Sequence, residues 1–203
     1  MNILMIGNSY TYVNALDQLL QELCRENGKQ VNAWRVTKGG RRLEAYMDPE
    51  DETTQKLEAI LQERRYDVCF LQEQSLTPIL DYDAFLSGLT HVMRMVGKQA
   101  DRFLLYATWS RATGSTTLDA HSWTPEVMTH LLEDAYQKAG QQLEVPVSPV
   151  GTSFWKVVKA RPFSWMSPTI PLPPMMTSVP YRRALMCWKP VTTGSSSAAV
   201  CIT

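Results

Sequence analysis

The chain has 203 residues, 44% of them hydrophobic and 20% charged, with 20 basic and 20 acidic side chains in balance. That length holds one well-cored domain and would cramp two. Zero formal charge makes nucleic acid and anionic membrane poor default partners, no apolar run reaches membrane-spanning length, and Met1 leads straight into a strand, where a secretory signal would place basic and then apolar residues.

The predicted elements alternate strand and helix. Strand one is Asn2 to Ile6, a short buried apolar run bounded by Gly7. The loop Gly7-Asn8-Ser9-Tyr10-Thr11 follows. Helix one is expected to start near Asn14 as N-cap, with Asp17 three residues on, and to stop at Gly28. Its apolar face holds Leu16, Leu19, Leu20, Leu23 and Cys24, at helical spacing. Strand two is roughly Gln30 to Val36, followed by the loop Gly39-Gly40-Arg41-Arg42. Helix two spans Glu52 to Arg65 with Leu57, Ile60 and Leu61 inward, and strand three is Asp67 to Leu71. Helix three, Tyr82 to Val96, turns Phe85, Leu86, Leu89, Val92, Met93 and Val96 inward and ends at Gly97. Strand four is Arg102 to Ala107. Helix four opens at Thr124-Pro125-Glu126, an N-cap followed by proline, buries Val127, Met128, Leu131, Leu132 and Ala135, and ends at Gly140. Strand five is about Leu143 to Val147. Strands alternating with amphipathic helices imply an α/β fold with a mostly parallel five-stranded sheet covered on both faces.

The four cysteines, Cys24, Cys69, Cys187 and Cys201, show no C-x-x-C spacing. With Cys24 and Cys69 on core faces, they read as reduced structural thiols of a cytoplasmic protein. The three histidines are not clustered, so no metal is expected, and no cofactor.

The balanced charge hides a break. Up to Glu144 the chain has 14 basic and 20 acidic residues, a net −6; from Val145 onward it has six basic residues and no acidic one. Seven of the 12 prolines fall from Pro162 onward. Residues 1–160 therefore read as the α/β domain and 161–203 as an anomalous Pro/Ser-rich tail, expected to pack poorly apart from a helical turn or two at Tyr181 to Trp188.

Ser9, Gly39-Gly40, Gln72-Glu73-Gln74-Ser75 and Thr108-Trp109-Ser110-Arg111 each follow the carboxyl end of a predicted strand. In a parallel sheet those ends share one rim, where open α/β folds place ligands. Singly, each is an ordinary solvated loop, and Gly-Asn-Ser is good turn chemistry. Four together, with a tryptophan and an arginine among them, define a candidate site.

On these residues the chain resembles the SGNH (GDSL-type) hydrolase superfamily, and within it a bacterial branch. The family's first block, Gly-Asp-Ser with a threonine two residues on, matches Gly7-Asn8-Ser9-Tyr10-Thr11, with Asn8 in place of the aspartate. The second block's glycine matches Gly39 or Gly40, and Leu71-Gln72-Glu73-Gln74-Ser75 stands where a third block supplies a side-chain amide. Ala107-Thr108-Trp109-Ser110 and Pro149-Val150-Gly151 are also similar, and the resemblance runs to about residue 158.

The resemblance implies a flavodoxin-like three-layer α/β/α sandwich and hydrolysis of a small-molecule ester, an acyl ester or a carbohydrate acetyl ester. Ser9 would be the nucleophile. Backbone N–H groups of Ser9 and Gly40 and the amide of Gln74, or of Gln72, would form the oxyanion hole. Asn8, Tyr10, Gln72, Glu73, Trp109 and Arg111 would line the substrate site. A serine hydroxyl needs a base within hydrogen-bond reach. The superfamily's final Asp-x-x-His block is absent: no histidine follows His130 and no acid follows Glu144. Either the reading frame shifts near Arg161 to Ser164, or the tail is genuine and divergent. His91 and His130 read as helix-face residues. His121, on the rim with Asp119 two residues earlier, is the one candidate for a displaced base, against the plainer reading of a loop histidine. The other function classes are a non-catalytic domain that binds a small ligand at the rim and a nucleotide binder. The missing glycine-rich cradle counts against the latter. Oligomeric state is not encoded in any of these features.

Overall fold

The computed structural model describes residues 1–13, 15–160, 191–193 and 196–198. The first 160 residues build a five-stranded parallel sheet from β1 (Asn2–Gly7), β2 (Asn32–Thr37), β3 (Val68–Leu71), β4 (Phe103–Tyr106) and β5 (Val147–Ser148), in the order β2-β1-β3-β4-β5. This is the flavodoxin-like order, with its topological switch point between β1 and β3. Register pairs Ile6 with Val36 on one side and Leu71 on the other, so β2 ends at Thr37, level with Gly7, and β3 ends at Leu71, level with Ile6.

Eight α-helices accompany these strands: α1 (Ser9–Tyr12), α2 (Leu16–Glu26), α3 (Glu52–Glu63), α4 (Thr77–Leu80), α5 (Tyr82–Val96), α6 (Thr116–Ala120), α7 (Pro125–Leu143) and α8 (Val150–Ala160). One sheet face carries Leu4, Ile6, Cys69, Leu71 and Leu105 under Leu57 and Leu61 of α3, Phe85, Leu89 and Val92 of α5, and Met128, Leu132 and Tyr136 of α7. The other carries Ile3 and Met5 under Leu16, Leu20 and Cys24 of α2. Alternate residues of one strand thus feed two cores, which makes the three-layer sandwich.

The alternation of strand and helix matches the sequence reading, and helix three is found with the expected bounds, Tyr82–Val96. Four details differ. The expected cap at Asn14 lies outside the described residues, and α2 starts after Ala15, which sits in the left-handed region at φ 52°. On α2 the contact stripe is the narrow i, i+4, i+8 row of Leu16, Leu20 and Cys24, so Leu23, expected inward, is 56% exposed. On α7 the buried row is Met128, Leu132, Tyr136 and Ala139, which turns Val127 outward. Gly140 does not end α7. The helix runs on to Leu143, and β5 starts later than expected. Gly140 serves close packing instead: a Cβ there would stand 2.8 Å from the Val145 carbonyl oxygen.

Cys24 and Cys69 are free thiols. Within the tail, Val191–Thr193 (β6) and Ser196–Ala198 (β7) pair antiparallel, regular structure that the composition did not announce. Tyr181 to Trp188, read as a helical turn, and Cys187 and Cys201 lie outside the described residues. Among the described residues no helix is long and apolar enough to cross a membrane.

Candidate active site

Ser9 opens α1, two residues beyond the end of β1, and is half-buried. Gln72–Ser75 follow β3 directly. The two segments therefore flank the switch point of the sheet. Gly7 admits this crossing: a Cβ on it would lie 2.5 Å from both Gln72 Oε1 and Thr11 Oγ1, closer than side chains approach.

Asn8 is the hub of the turn. It is 1% exposed. Its Oδ1 accepts from Tyr10 N at 3.2 Å and caps α1. Its Nδ2 donates to the Arg41 carbonyl at 3.0 Å, which ties the Ser9 turn to the loop after β2. Its backbone N donates to Gln72 Oε1 at 2.9 Å, and Gln72 Nε2 donates back to Asn8 Oδ1 at 3.0 Å. Thr11 Oγ1 also donates to Gln72 Oε1, at 2.8 Å. An aspartate at position 8 would set two acceptors against the Arg41 carbonyl and bury a charge, so the amide suits this site.

Gln72 was expected at the rim as a substrate contact or oxyanion donor. It lies beneath the rim at 1% exposure, and its Nε2 also donates to the Glu73 carbonyl. Both amide hydrogens are taken, so the side chain has no donor left for an oxyanion. Glu73, also expected at the rim, is fully buried. Its carboxyl accepts from Leu43 N at 3.0 Å and from Gln74 N at 2.5 Å. Burial pushes its pKa up to about 7, against the pull of the Gln74 and Leu43 N–H groups and Arg42.

Gln74 is half-buried. Its Oε1 accepts from Leu76 N at 2.8 Å and Thr77 N at 3.2 Å, so its carbonyl end is fixed on the start of α4 and Nε2 is left without a partner among the described residues. Gly40 is exposed with φ +67°, a conformation that glycine adopts without strain. Beside it a Cβ on Gly39 would meet Tyr12 Oη at 3.1 Å, which seats this loop against α1. Arg41 anchors the loop from below through Asp51 Oδ1 at 2.8 Å and Thr54 Oγ1 at 3.0 Å. Asp51 in turn caps α3, and its pairing with Arg41 holds its carboxyl well below the usual range.

An aromatic wall stands on the other side. The Tyr10 ring meets Trp109 at 4.6 Å between centroids, and Trp109 meets Phe154 of α8 at 5.9 Å. The Arg111 guanidinium stands 5.8 Å from the Tyr10 ring centre and donates to Ser75 Oγ at 3.1 Å. Thr11, Ser75 and Phe154 were not singled out as site residues. Phe154 follows Gly151 at helical spacing, but its place beside Trp109 depends on how α8 returns across the sheet.

Among the described residues no histidine hydrogen-bonds Ser9. His121 is exposed, and its ring stacks on Trp123 at 4.4 Å and 19°. His91 contacts the Tyr46 carbonyl at 3.1 Å, and His130 lies 3.8 Å from Glu133. A groove of about 470 Å³ between Met47 and α5 is lined by none of the candidate site residues.

A five-stranded parallel sheet in this order, with a serine turn at its switch point, is a flavodoxin-like α/β/α sandwich, and comparison with solved structures finds the same fold. A protein described as "a putative SGNH hydrolase from Slackia heliotrinireducens" superposes with TM-score 0.66 at 24% identity, covering 77% of this chain and 82% of that one. A DUF4886 family protein from Bacteroides uniformis superposes with TM-score 0.64 at 21% identity, covering 76% and 69%. An acetylxylan esterase from Geobacillus stearothermophilus does so with TM-score 0.55 at 9% identity, covering 79% and 80%. No family profile matches the chain, and no curated protein matches it in sequence. The chain has the fold of the SGNH hydrolases.

Proposed function

We propose that this chain is an SGNH-type serine ester hydrolase with Ser9 as nucleophile, impaired in turnover because among the described residues no histidine hydrogen-bonds Ser9. One observation carries the reading: Ser9 opens α1 at the switch point, on a turn locked by Asn8, Gln72 and Thr11. Ser9 Oγ attacks an ester carbonyl and loses its proton to water, the N–H groups of Ser9 and Gly40 and Nε2 of Gln74 receive the oxyanion, the alcohol leaves as the carbonyl re-forms, and water hydrolyses the acyl-Ser9 ester. An oxyanion donor contributes roughly 3 kcal/mol to the transition state. The half-buried Tyr10 ring, backed by Trp109, which is buried at 3% exposure and was expected to line the site itself, offers an apolar face to the acyl or alcohol group. The likeness to an acetylxylan esterase supports a small-molecule ester, acyl or carbohydrate acetyl, as substrate. The free thiols Cys24 and Cys69 suit a reducing, cytoplasmic compartment.

A catalyst lacking a triad member retains only ~10³–10⁴-fold acceleration over water, from the oxyanion hole and binding. Slow hydrolysis of p-nitrophenyl acetate that disappears in Ser9→Ala is the expected result; a rate unchanged by Ser9→Ala rejects the assignment. The unpartnered Ser9 also favours a second reading, a non-catalytic domain that binds a small ligand at this rim. Acylation of Ser9 by the same ester separates the two.

A further inference from the structure

Among the described residues no carboxylate neutralises the charge of Arg111. Among the described residues the half-buried or buried arginines Arg35, Arg41, Arg42 and Arg64 each pair with a carboxylate, at distances from 2.5 to 3.1 Å. Arg65 pairs as well, and Arg25, Arg94 and Arg102 are exposed to water. Arg111 alone is half-buried with no carboxylate beside it. Its Nη2 donates to Ser75 Oγ at 3.1 Å. Its Nε is buried without a hydrogen-bond partner, and Nη1 has none among the described residues. Holding a cation there costs desolvation that one neutral hydroxyl and a tyrosine face at 5.8 Å offset only in part.

The placement adds direction. The guanidinium stands over the ring of Tyr10, the residue next to Ser9, and Ser75 fixes it from the β3 side of the switch point. We infer that Arg111 is a subsite for a carboxylate carried by the substrate, so that the preferred esters are half-esters or acylated acids with one free carboxylate. The planar fork of an arginine matches a carboxylate in geometry as well as charge. The inference rests on the hydrolase reading for the word ester, but it is read out by binding and needs no turnover.

The test compares monomethyl succinate, which keeps one carboxylate, with dimethyl succinate, its neutral analogue, by ligand-observed NMR titration of the full chain and of Ser9→Ala. The expected result is binding of monomethyl succinate at least ~10-fold tighter, a difference of about 1.4 kcal/mol, and a smaller gap at high salt. In Arg111→Gln the gap closes through weaker binding of monomethyl succinate, and Arg111→Lys, which keeps the charge and loses the fork, lies between. Equal affinities in the wild-type chain, absence of binding by either compound, or a preference that survives Arg111→Gln overturns the inference. Should Arg111→Gln fail to fold, the wild-type comparison and its salt dependence still decide. A clear preference with no acylation of Ser9 by any ester would reject the hydrolase reading and leave the carboxylate subsite standing.

Discussion

Asn8 and Gln72, 64 residues apart, hold each other by two hydrogen bonds: Asn8 N donates to Gln72 Oε1 at 2.9 Å and Gln72 Nε2 donates to Asn8 Oδ1 at 3.0 Å. Both side chains are buried. The Ser9 turn is thereby fastened to the end of β3, and Ser9 is placed by its neighbours rather than by bonds of its own hydroxyl.

Gln72→Leu keeps the bulk and removes both bonds and the one from Thr11, stranding Asn8 N and Thr11 Oγ1 and leaving Asn8 Oδ1 with Tyr10 N alone. Unpaired buried groups cost about 1–3 kcal/mol each. We expect a loss of at least ~2 kcal/mol in urea-unfolding free energy, and loss of any Ser9-dependent activity. Asn8→Asp is expected to destabilise as well, since it buries a charge and removes the donor to Arg41. A Gln72→Leu protein as stable as wild type would show that the pair does not hold the turn.

Glu73 gives the chain a pH dependence of opposite sign to an ordinary ion-paired carboxylate. Its folded pKa is pushed up to about 7 from a usual 4.5. The folded state therefore holds a proton that the unfolded state has released between those values. The stability this contributes is complete at acid pH and is lost as pH rises from about 4.5 through 7. Relative to Glu73→Gln, the wild-type unfolding free energy should fall across that window, at most by about 1.4 kcal/mol per pH unit. A constant difference between the two proteins from pH 5 to pH 7.5 on the pH scale would contradict this.

His121 stacks on Trp123, and we expect His121→Ala to leave Ser9-dependent hydrolysis unchanged. An abolished rate in His121→Ala, with Ser9 acylation lost alongside, would make His121 the base.

The sheet was legible because parallel strands buried on both faces read as continuous apolar runs such as Ile3 to Ile6 and Val68 to Leu71. The rim followed from it: residues after strand ends had to meet on one side. Less legible was which rim residues look outward. Gln72 and Gln74 are two apart in one short segment, yet Gln72 is consumed by the β1 turn and Gln74 caps α4. That difference depends on a register between β1 and β3 that no local pattern states. The burial of Glu73 was hidden for the same reason, because its partner Leu43 N comes from a distant loop. Helix ends failed where a glycine had a packing use, as at Gly140.

The missing Asp-x-x-His block bears on the gene itself. The acid-free stretch begins after Glu144 and the resemblance stops near residue 158. We expect genomic DNA past codon 160, read in one of the other two frames, to encode Asp-x-x-His. Its absence from both frames would establish the tail as genuine and divergent.

We propose Ser9 as a nucleophile that lacks a base among the described residues. The direct measurement is acetylation of Ser9 by p-nitrophenyl acetate, followed by peptide mass spectrometry with and without added imidazole as a surrogate base. The account predicts an acetyl group on the peptide containing Ser9, faster formation and turnover with imidazole after subtraction of the imidazole background, and neither in Ser9→Ala. Acetylation elsewhere with Ser9 unmodified, or an imidazole-stimulated rate that Ser9→Ala does not change, would contradict it.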